Sequence, residues 1–253
     1  MKKLRFIKHT FRTIIIALMV IYFGLIALLN ISYVQQGLSN IATRELSRLL
    51  DTKVSIGNID MGLLNRIIIQ DLVLYDRSGK EMLNVARFSA KFDIMAIIKG
   101  KISINSIQLF GLDAYLNRES KDSEPNFSFI TELFAPKKEK EKSNFIDLRI
   151  NSILIRRSNI SYDVLSEEET ENVFNTSHIS LKNLSVNISV KALSTDSVNV
   201  QLKRIALDEK SGFKVKKLSL TAIGNNRGLS ITGFNFATAN SNIYSDSIYV
   251  EYD

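Results

Sequence analysis

Residues 54–61 read VSIGNIDM and residues 67–74 read IIIQDLVL, and these two stretches show the pattern that decides the fold. In each, apolar residues occupy the first, third, sixth and eighth positions, so two alternating runs are separated by a break of two residues. Alternation with period two is typical of a β-strand that buries one face. Seven more copies follow, running from Leu83 to Ala90, Ile102 to Leu109, Leu148 to Ile155, Ile179 to Val186, Val200 to Leu207, Phe213 to Leu220 and Leu229 to Phe236.

The two residues at each break admit two interpretations. A tight hairpin turn would divide a copy into two strands, whereas a β-bulge would keep one strand with all its apolar side chains on one face. Most break pairs lack the residues that two-residue hairpin turns need, and better turn sequences lie between copies, at residues 76–79 and 209–212. The pattern therefore predicts one bulged strand per copy in a long, twisted antiparallel sheet.

One face of this sheet is continuously apolar and needs a cover, because burial of apolar surface is worth roughly 25 cal/mol per Å². A closed barrel or a two-sheet sandwich would hide the face, whereas an open, curled sheet would form a hydrophobic groove. Candidate helices are few, at residues 38–50, 93–99 and 126–134. The candidate groove residues are Val54, Ile56, Ile69, Leu72, Ile102, Ile104, Ile107, Leu109, Ile150, Ile153, Leu181, Leu184, Leu202, Ile205, Val215, Leu218, Ile231 and Phe234.

The amino-terminal residues indicate a membrane anchor. The net charge of the chain is +7, and five cations lie in residues 1–12, namely Lys2, Lys3, Arg5, Lys8 and Arg12. No charged residue occurs from Thr13 to Thr43, and residues 13–34 are long and apolar enough to predict a single transmembrane helix. The preceding cations predict a cytoplasmic amino terminus. A cleaved signal peptide is the alternative, although the apolar run is long for one.

The remaining chain divides by composition. Residues 35–52 have the apolar spacing of an amphipathic helix, and residues 53–118 hold the first four copies. Residues 119–146 contain both prolines and a run of alternating Lys and Glu, which indicates a loop or insertion with a short helix. Residues 147–253 continue the repeated strands and end within the strand pattern, which suggests a truncated sheet.

The composition excludes several function classes. The chain has no cysteine, which excludes disulfide scaffolds, thiol nucleophiles and thiolate metal sites, and its two histidines leave little for a histidine metal site. There is no phosphate-binding glycine loop and no hydrolase or metalloprotease motif. We therefore expect no catalytic residues, no metal and no cofactor. Beyond residue 12 the chain is nearly neutral, which argues against a nucleic-acid partner.

Residues 46–118 resemble the amino-terminal part of the AsmA-like superfamily, with the closest similarity to its TamB-type members. The similarity rests on "VSIGNID", "LVLYDRSGKEML" and "DIMAIIKGKISINSIQL", and on the later "LRINSILIRRSNISY". The resemblance implies an inner-membrane-anchored periplasmic protein with a hydrophobic β groove that moves phospholipid between inner and outer membranes. It also implies, as an alternative, help in assembling outer-membrane β-barrel proteins. Members of this type are usually far longer, with a carboxy-terminal domain that meets an outer-membrane partner.

Three functions therefore stay open from the sequence. A lipid-transfer conduit would take phospholipid as its partner, with the inner membrane as its site of attachment. An assembly factor would instead bind an outer-membrane barrel protein through sheet edges and groove. An anchored structural sheet with a closed, dry core would bind neither.

Overall fold

The computed structural model describes residues 2–29, 31–62, 65–93, 95–96, 102–134, 146–147, 150–194 and 197–252. Its helices are α1 (Lys2–Leu29), α2 (Ser32–Leu50) and α3 (Ser128–Phe134). Its strands are β1 (Val54–Gly62), β2 (Arg66–Tyr75), β3 (Glu81–Phe92), β4 (Ile102–Arg118), β5 (Ile146–Asp147), β6 (Ser152–Val164), β7 (His178–Ser194), β8 (Ser197–Glu209), β9 (Lys214–Asn225), β10 (Gly228–Thr238) and β11 (Asn242–Glu251).

Ten of these strands form one open sheet in the order β1-β2-β3-β4-β6-β7-β8-β9-β10-β11, and the two-residue β5 pairs with β4 outside this order. The prediction of a mainly β chain is confirmed. The prediction of a purely antiparallel sheet is wrong, because β6 runs parallel to β4. Residues 119–151 explain the difference, since they return the chain from the end of β4 to the end at which β4 began. A parallel pair requires such a crossover connection.

The bulge interpretation of the repeated pattern is confirmed for eight of the nine copies, because their breaks lie inside a single strand; the fifth break, at residues 151–152, lies at the start of β6. Three of the nine predicted breaks contain a residue at positive φ, namely Asp71 (52°), Asn183 (55°) and Gly233 (60°). Each of these is the second residue of its break pair. At these three breaks the left-handed residue lets the following side chains return to the same face.

Two breaks that the pattern did not predict occur at residues 110–111 of β4 and 156–157 of β6, where Gly111 (62°) and Arg157 (52°) have positive φ. In the fifth copy, Leu148 lies outside the described residues and Ile150 precedes β6.

The strand β11 is a tenth copy that the pattern did not reveal. Ile243, Ile248 and Val250 occupy the first, sixth and eighth positions, whereas Ser245 stands at the third, where the other copies have an apolar residue. In the sheet, Ser245 pairs with Phe234 of β10, so it occupies the expected position with a polar side chain. The pattern therefore failed to predict the final strand because of a single serine.

Helix α2 lies along β1 and covers that edge of the sheet. Near its start, the side-chain amide of Gln35 donates a hydrogen bond to Asp60 Oδ1 (2.6 Å), close to the end of β1. Near its end, Ser47 Oγ accepts a hydrogen bond from the backbone N–H of Val54 (3.0 Å), at the start of β1. The two elements therefore run antiparallel, and Ala42, Leu46 and Leu50 of α2 pack against the buried core.

The predicted transmembrane segment at residues 13–34 is not supported. Within the part of the chain that the structure describes, no helix is long and apolar enough to cross a bilayer. The charge-free stretch is divided between two helices, because α1 ends at Leu29 and α2 begins at Ser32. Arg12 is exposed on α1, and the side chains of Lys2, Lys3, Arg5 and Lys8 lie outside the described part.

Candidate functional site

The inner face of the sheet carries an unbroken row of apolar residues that crosses all ten paired strands. Each member is paired in register with the next across neighbouring strands. We name this set the central row; its members are Ile59, Ile69, Phe88, Leu109, Ile155, Val186, Ile205, Leu218, Phe236 and Ile243. Directly paired residues of neighbouring strands point to the same face, so the row forms one continuous apolar strip.

A second apolar row runs beside the central row over eight strands. It joins Met61, Ile67, Ala90, Ile107, Ile153, Ile188, Leu202 and Leu220 through direct register pairs. Together the two rows form an apolar strip that is two side chains wide. The strand pattern alone predicted which residues face inward, but the alignment of successive strands into rows depends on register.

The groove residues predicted from the sequence differ in their exposure. Five are buried, namely Val54, Ile56, Leu184, Leu202 and Val215. Twelve are half-buried, namely Ile69, Leu72, Ile104, Ile107, Leu109, Ile150, Ile153, Leu181, Ile205, Leu218, Ile231 and Phe234. The side chain of Ile102 lies outside the described part of the chain, although its backbone pairs with Ile146 of β5.

One end of the inner face is closed by helices. Val54, Ile56 and Ile59 form a buried cluster with Leu74, Met82 and Phe129, and residues of α2 and the segment 127–130 pack against it. Met82 is fully buried at a register shift between β2 and β3, a position that the repeated pattern did not predict. Val54 and Ile56 of β1 therefore belong to a packed core under the helices.

At the other end of the inner face, none of the described helices packs into a buried cluster with the strands. A second buried cluster joins Val85, Leu112 and Ala114, and among the described residues no buried hydrophobic cluster extends into β8–β11. Ile59 is the only buried member of the central row; the others are half-buried, except Ile243 on β11, which is 56% exposed. We name the inner face of strands β6 to β11 the trough.

A cavity of about 730 Å³, lined mostly by polar residues, opens at one end of strands β6, β7 and β8. At this end β6 finishes at Val164, β7 begins at His178 and β8 finishes at Glu209. His178 is buried there, with Nδ1 2.9 Å from Asp163 Oδ1 and Nε2 2.9 Å from the backbone oxygen of Glu167. The hydrogen bond to Asp163, followed by that to Glu167, raises the pKa of His178 above 6.5. Both ring nitrogens face oxygen acceptors, so the imidazolium form satisfies both contacts.

The geometry around His178 is that of a structural clamp. A general base needs a ring nitrogen free to accept a proton, whereas Nε2 is held by a main-chain oxygen of the β6–β7 connection. Nearby, Lys210 Nζ lies 2.6 Å from Glu169 Oε1 and fastens the same connection to the β8–β9 turn. The sequence does not reveal this pair, because Asp163 and His178 are brought together only by the register of β6 and β7.

Within the described ranges, no group of three or more histidine or acidic residues could hold a metal ion. Comparison with protein-family models and with curated proteins finds no match to this chain. The resemblance to TamB-type proteins accordingly stays a prediction from the sequence.

Proposed function

We propose that this protein is a segment of a lipid-transfer conduit that carries the acyl chains of phospholipids along the trough. The observation that carries the proposal is the central row, an unbroken apolar strip. It leaves the helix-covered core and continues over strands that share no buried cluster with any described helix. An apolar surface of this kind on a folded protein marks an interaction site.

The energetics of lipid transfer favour such a surface. Moving a phospholipid through water exposes its tails at about 0.8 kcal/mol per methylene, so two tails cost well over about 10 kcal/mol. Aliphatic side chains such as Ile155, Val186 and Ile205 offer the tails an apolar surface without hydrogen-bonding groups. The head group stays in water at the open side. Such a wall recognises tails and places little demand on the head group.

The dimensions of the trough suit an acyl chain. Its six strands are separated by five spacings of about 4.8 Å, which gives a length of roughly 24 Å across the strands. One leaflet contributes about half of the roughly 30 Å hydrocarbon core of a bilayer, or about 15 Å of tail. A tail therefore fits when it lies across the strands along the central row.

Membrane attachment through α1 is part of the proposal. Leu18, Met19, Val20 and Ile21 are consecutive in α1, and each is more than half exposed. Four consecutive residues cover all sides of a helix, so α1 is apolar around its circumference at this turn, which favours contact with lipid. The five cations of residues 1–12 support an inner-membrane position with a cytoplasmic amino terminus.

The exposed edge of β11 favours a second candidate, an assembly factor for outer-membrane β-barrel proteins. The residues Tyr244, Ile248 and Tyr249 are exposed on this strand, and β11 pairs only with β10 among the described strands. A free strand edge can accept an extended segment of another protein by main-chain hydrogen bonds.

Binding of a fluorescent fatty acid to the full chain in detergent-free nanodiscs tests the conduit. Leu218→Asn, in the central row, should weaken binding at least fivefold, whereas Thr221→Asn on the outer face of the same strand should leave it unchanged. Equal binding by both variants would count against a trough for acyl chains. Retained binding of an unfolded barrel strand without fatty-acid binding would favour the assembly factor.

A further inference from the structure

The outer face of the sheet carries a cluster of cations at the strand breaks. A break places two consecutive side chains on the face opposite the apolar rows. Both residues are basic at the unpredicted break of β6, residues 156–157, and at the predicted breaks of β8 and β9. We name these six exposed residues the basic belt: Arg156, Arg157, Lys203, Arg204, Lys216 and Lys217.

Register brings the three pairs together. Ile155, Ile205 and Leu218 lie in the central row, linked through Val186 of β7. Arg156 directly follows Ile155, Arg204 directly precedes Ile205, and Lys217 directly precedes Leu218. The basic belt therefore follows the central row on the opposite face. From β6 to β9 there are three strand spacings, so the belt spans about 15 Å across the strands.

The belt is not neutralised by the protein. Among the described residues none of its six members forms an ion pair with a carboxylate. The hydrogen bonds found there go to main-chain oxygens, from Arg204 to Lys216 (3.5 Å) and from the Lys216 ammonium to Ala239 (3.1 Å). Six like charges in so small an area repel one another, which favours an external anionic partner.

The neighbours of the belt indicate what kind of anion it fits. Ser185, Asn187 and Ser219 lie beside it on the outer face, and they offer small polar side chains without a ring. Phe110 pairs directly with Arg156 at the margin of the belt. Binding of single-stranded nucleic acid uses several aromatic platforms interleaved with the cations, and the described residues between the three basic pairs include no aromatic side chain. A broad patch of exposed lysine and arginine is suited to the head groups of an anionic bilayer, which attract such residues near the membrane surface.

We propose that the basic belt docks the outer face of the sheet on the head groups of an anionic membrane while the trough on the inner face stays open. This inference rests on the proposed function, since a lipid conduit must approach a bilayer to take up or release its cargo. The net charge of the sequence does not predict the belt, because the residues beyond 12 carry nearly equal numbers of cations and anions. The six cations become neighbours only when the strands pair.

The test places a fluorophore beside the belt and measures its distance to lipid head groups. The chain has no cysteine, so Thr221→Cys on the outer face of β9 gives a single labelling position. The labelled full chain is reconstituted in vesicles that contain nitroxide-labelled head groups, with either neutral phosphatidylcholine alone or one third phosphatidylglycerol. The belt variant is Arg204→Gln/Lys216→Gln/Lys217→Gln. The matched control is Lys80→Gln/Lys191→Gln/Arg227→Gln, which removes the same charges from exposed positions elsewhere.

We expect at least threefold stronger quenching in the anionic vesicles than in the neutral ones, loss of this difference in the belt variant, and its retention in the control. Equal quenching in both lipid mixtures, or an equal loss in the control, would overturn the docking proposal. Belt-dependent binding of soluble heparin without any lipid-dependent quenching would overturn membrane docking and assign the belt to a soluble polyanion. Fatty-acid binding by the belt variant reports separately on the trough, so failure of the conduit and failure of the belt are distinguishable.

Discussion

Gly111 of β4 lies opposite Ala86 of β3 at the strand break, and a Cβ atom on Gly111 would lie 3.1 Å from Cβ of Ala86. Gly111 also has a φ of 62°, a value that side chains rarely tolerate. The register pairs on either side, Val85 with Leu112 and Arg87 with Phe110, are unshifted, so both strands kink at the same level. This coincidence of breaks keeps the apolar residues of both strands on the inner face.

Substitution of Gly111 tests the importance of this kink. Gly111→Ala should lower the free energy of unfolding by about 1–3 kcal/mol, because the left-handed backbone and the contact with Ala86 both oppose a side chain. Gly233→Ala is the control, since Gly233 has a φ of 60° and no atom within 4 Å of its added Cβ. Urea denaturation should show the larger loss for Gly111→Ala. Equal losses would mean that the contact with Ala86 contributes nothing.

Ser158 provides a second test at the same level of the sheet. Its side chain is fully buried, accepts a hydrogen bond from the backbone N–H of Leu112 (3.3 Å) and donates one to the backbone oxygen of Arg156 (3.2 Å). Ser158→Ala leaves both groups without this partner and should cost about 1–3 kcal/mol of unfolding free energy. Ser230→Ala on β10, a half-buried position, is the control and should cost less than about 0.5 kcal/mol.

The clamp at His178 predicts a pH-dependent stability. The folded state raises the pKa of His178, first through the hydrogen bond to Asp163 and then through that to Glu167. A raised folded-state pKa stabilises the fold fully below the unfolded value, and this stabilisation is lost as the pH rises through the folded value. His178→Gln should therefore destabilise the protein more at about pH 5.5 than at about pH 9. Thermal unfolding across this range checks the sign, and a larger loss at the alkaline end would contradict it.

The fixed β6–β7 connection should also loosen when its ion pair is removed. Lys210→Gln breaks the contact between Lys210 Nζ and Glu169 Oε1. Since Glu169 is exposed, we expect little change in global stability but faster hydrogen exchange in residues 166–176. Lys121→Gln, which removes a contact to Glu167 in the same connection, is the comparison. Unchanged exchange in both variants would show that neither ion pair holds the connection.

The sequence predicted the strands better than their arrangement. Period-two alternation with a two-residue break located nine strands, because strand periodicity is a local property of the chain. The tenth was missed because Ser245 interrupts the apolar pattern, and the parallel pairing of β4 and β6 was missed because direction depends on the path of residues 119–151. Periodicity also cannot distinguish a residue under α2, such as Ile56, from one in the open trough, such as Ile205.

The functional site shows the same division. The inward-facing residues could be identified from the sequence, since each copy places them at fixed positions. The alignment of these residues into the central row could not be predicted from the sequence, because it depends on register across nine strand pairs. The basic belt and the contact between His178 and Asp163 were equally hidden, since both join residues that are distant in sequence.

Photo-crosslinking in cells at two adjacent residues of β10 tests the central claim most directly. Ile231 and Ser230 are both half-buried and point to opposite faces of the same strand, with Ile231 towards the trough. A benzophenone side chain at Ile231 should yield phospholipid adducts, identified by mass spectrometry, while the same group at Ser230 should yield at least fivefold fewer. Protein adducts without lipid at Ile231, or equal lipid adducts at both positions, would contradict a trough that carries phospholipid.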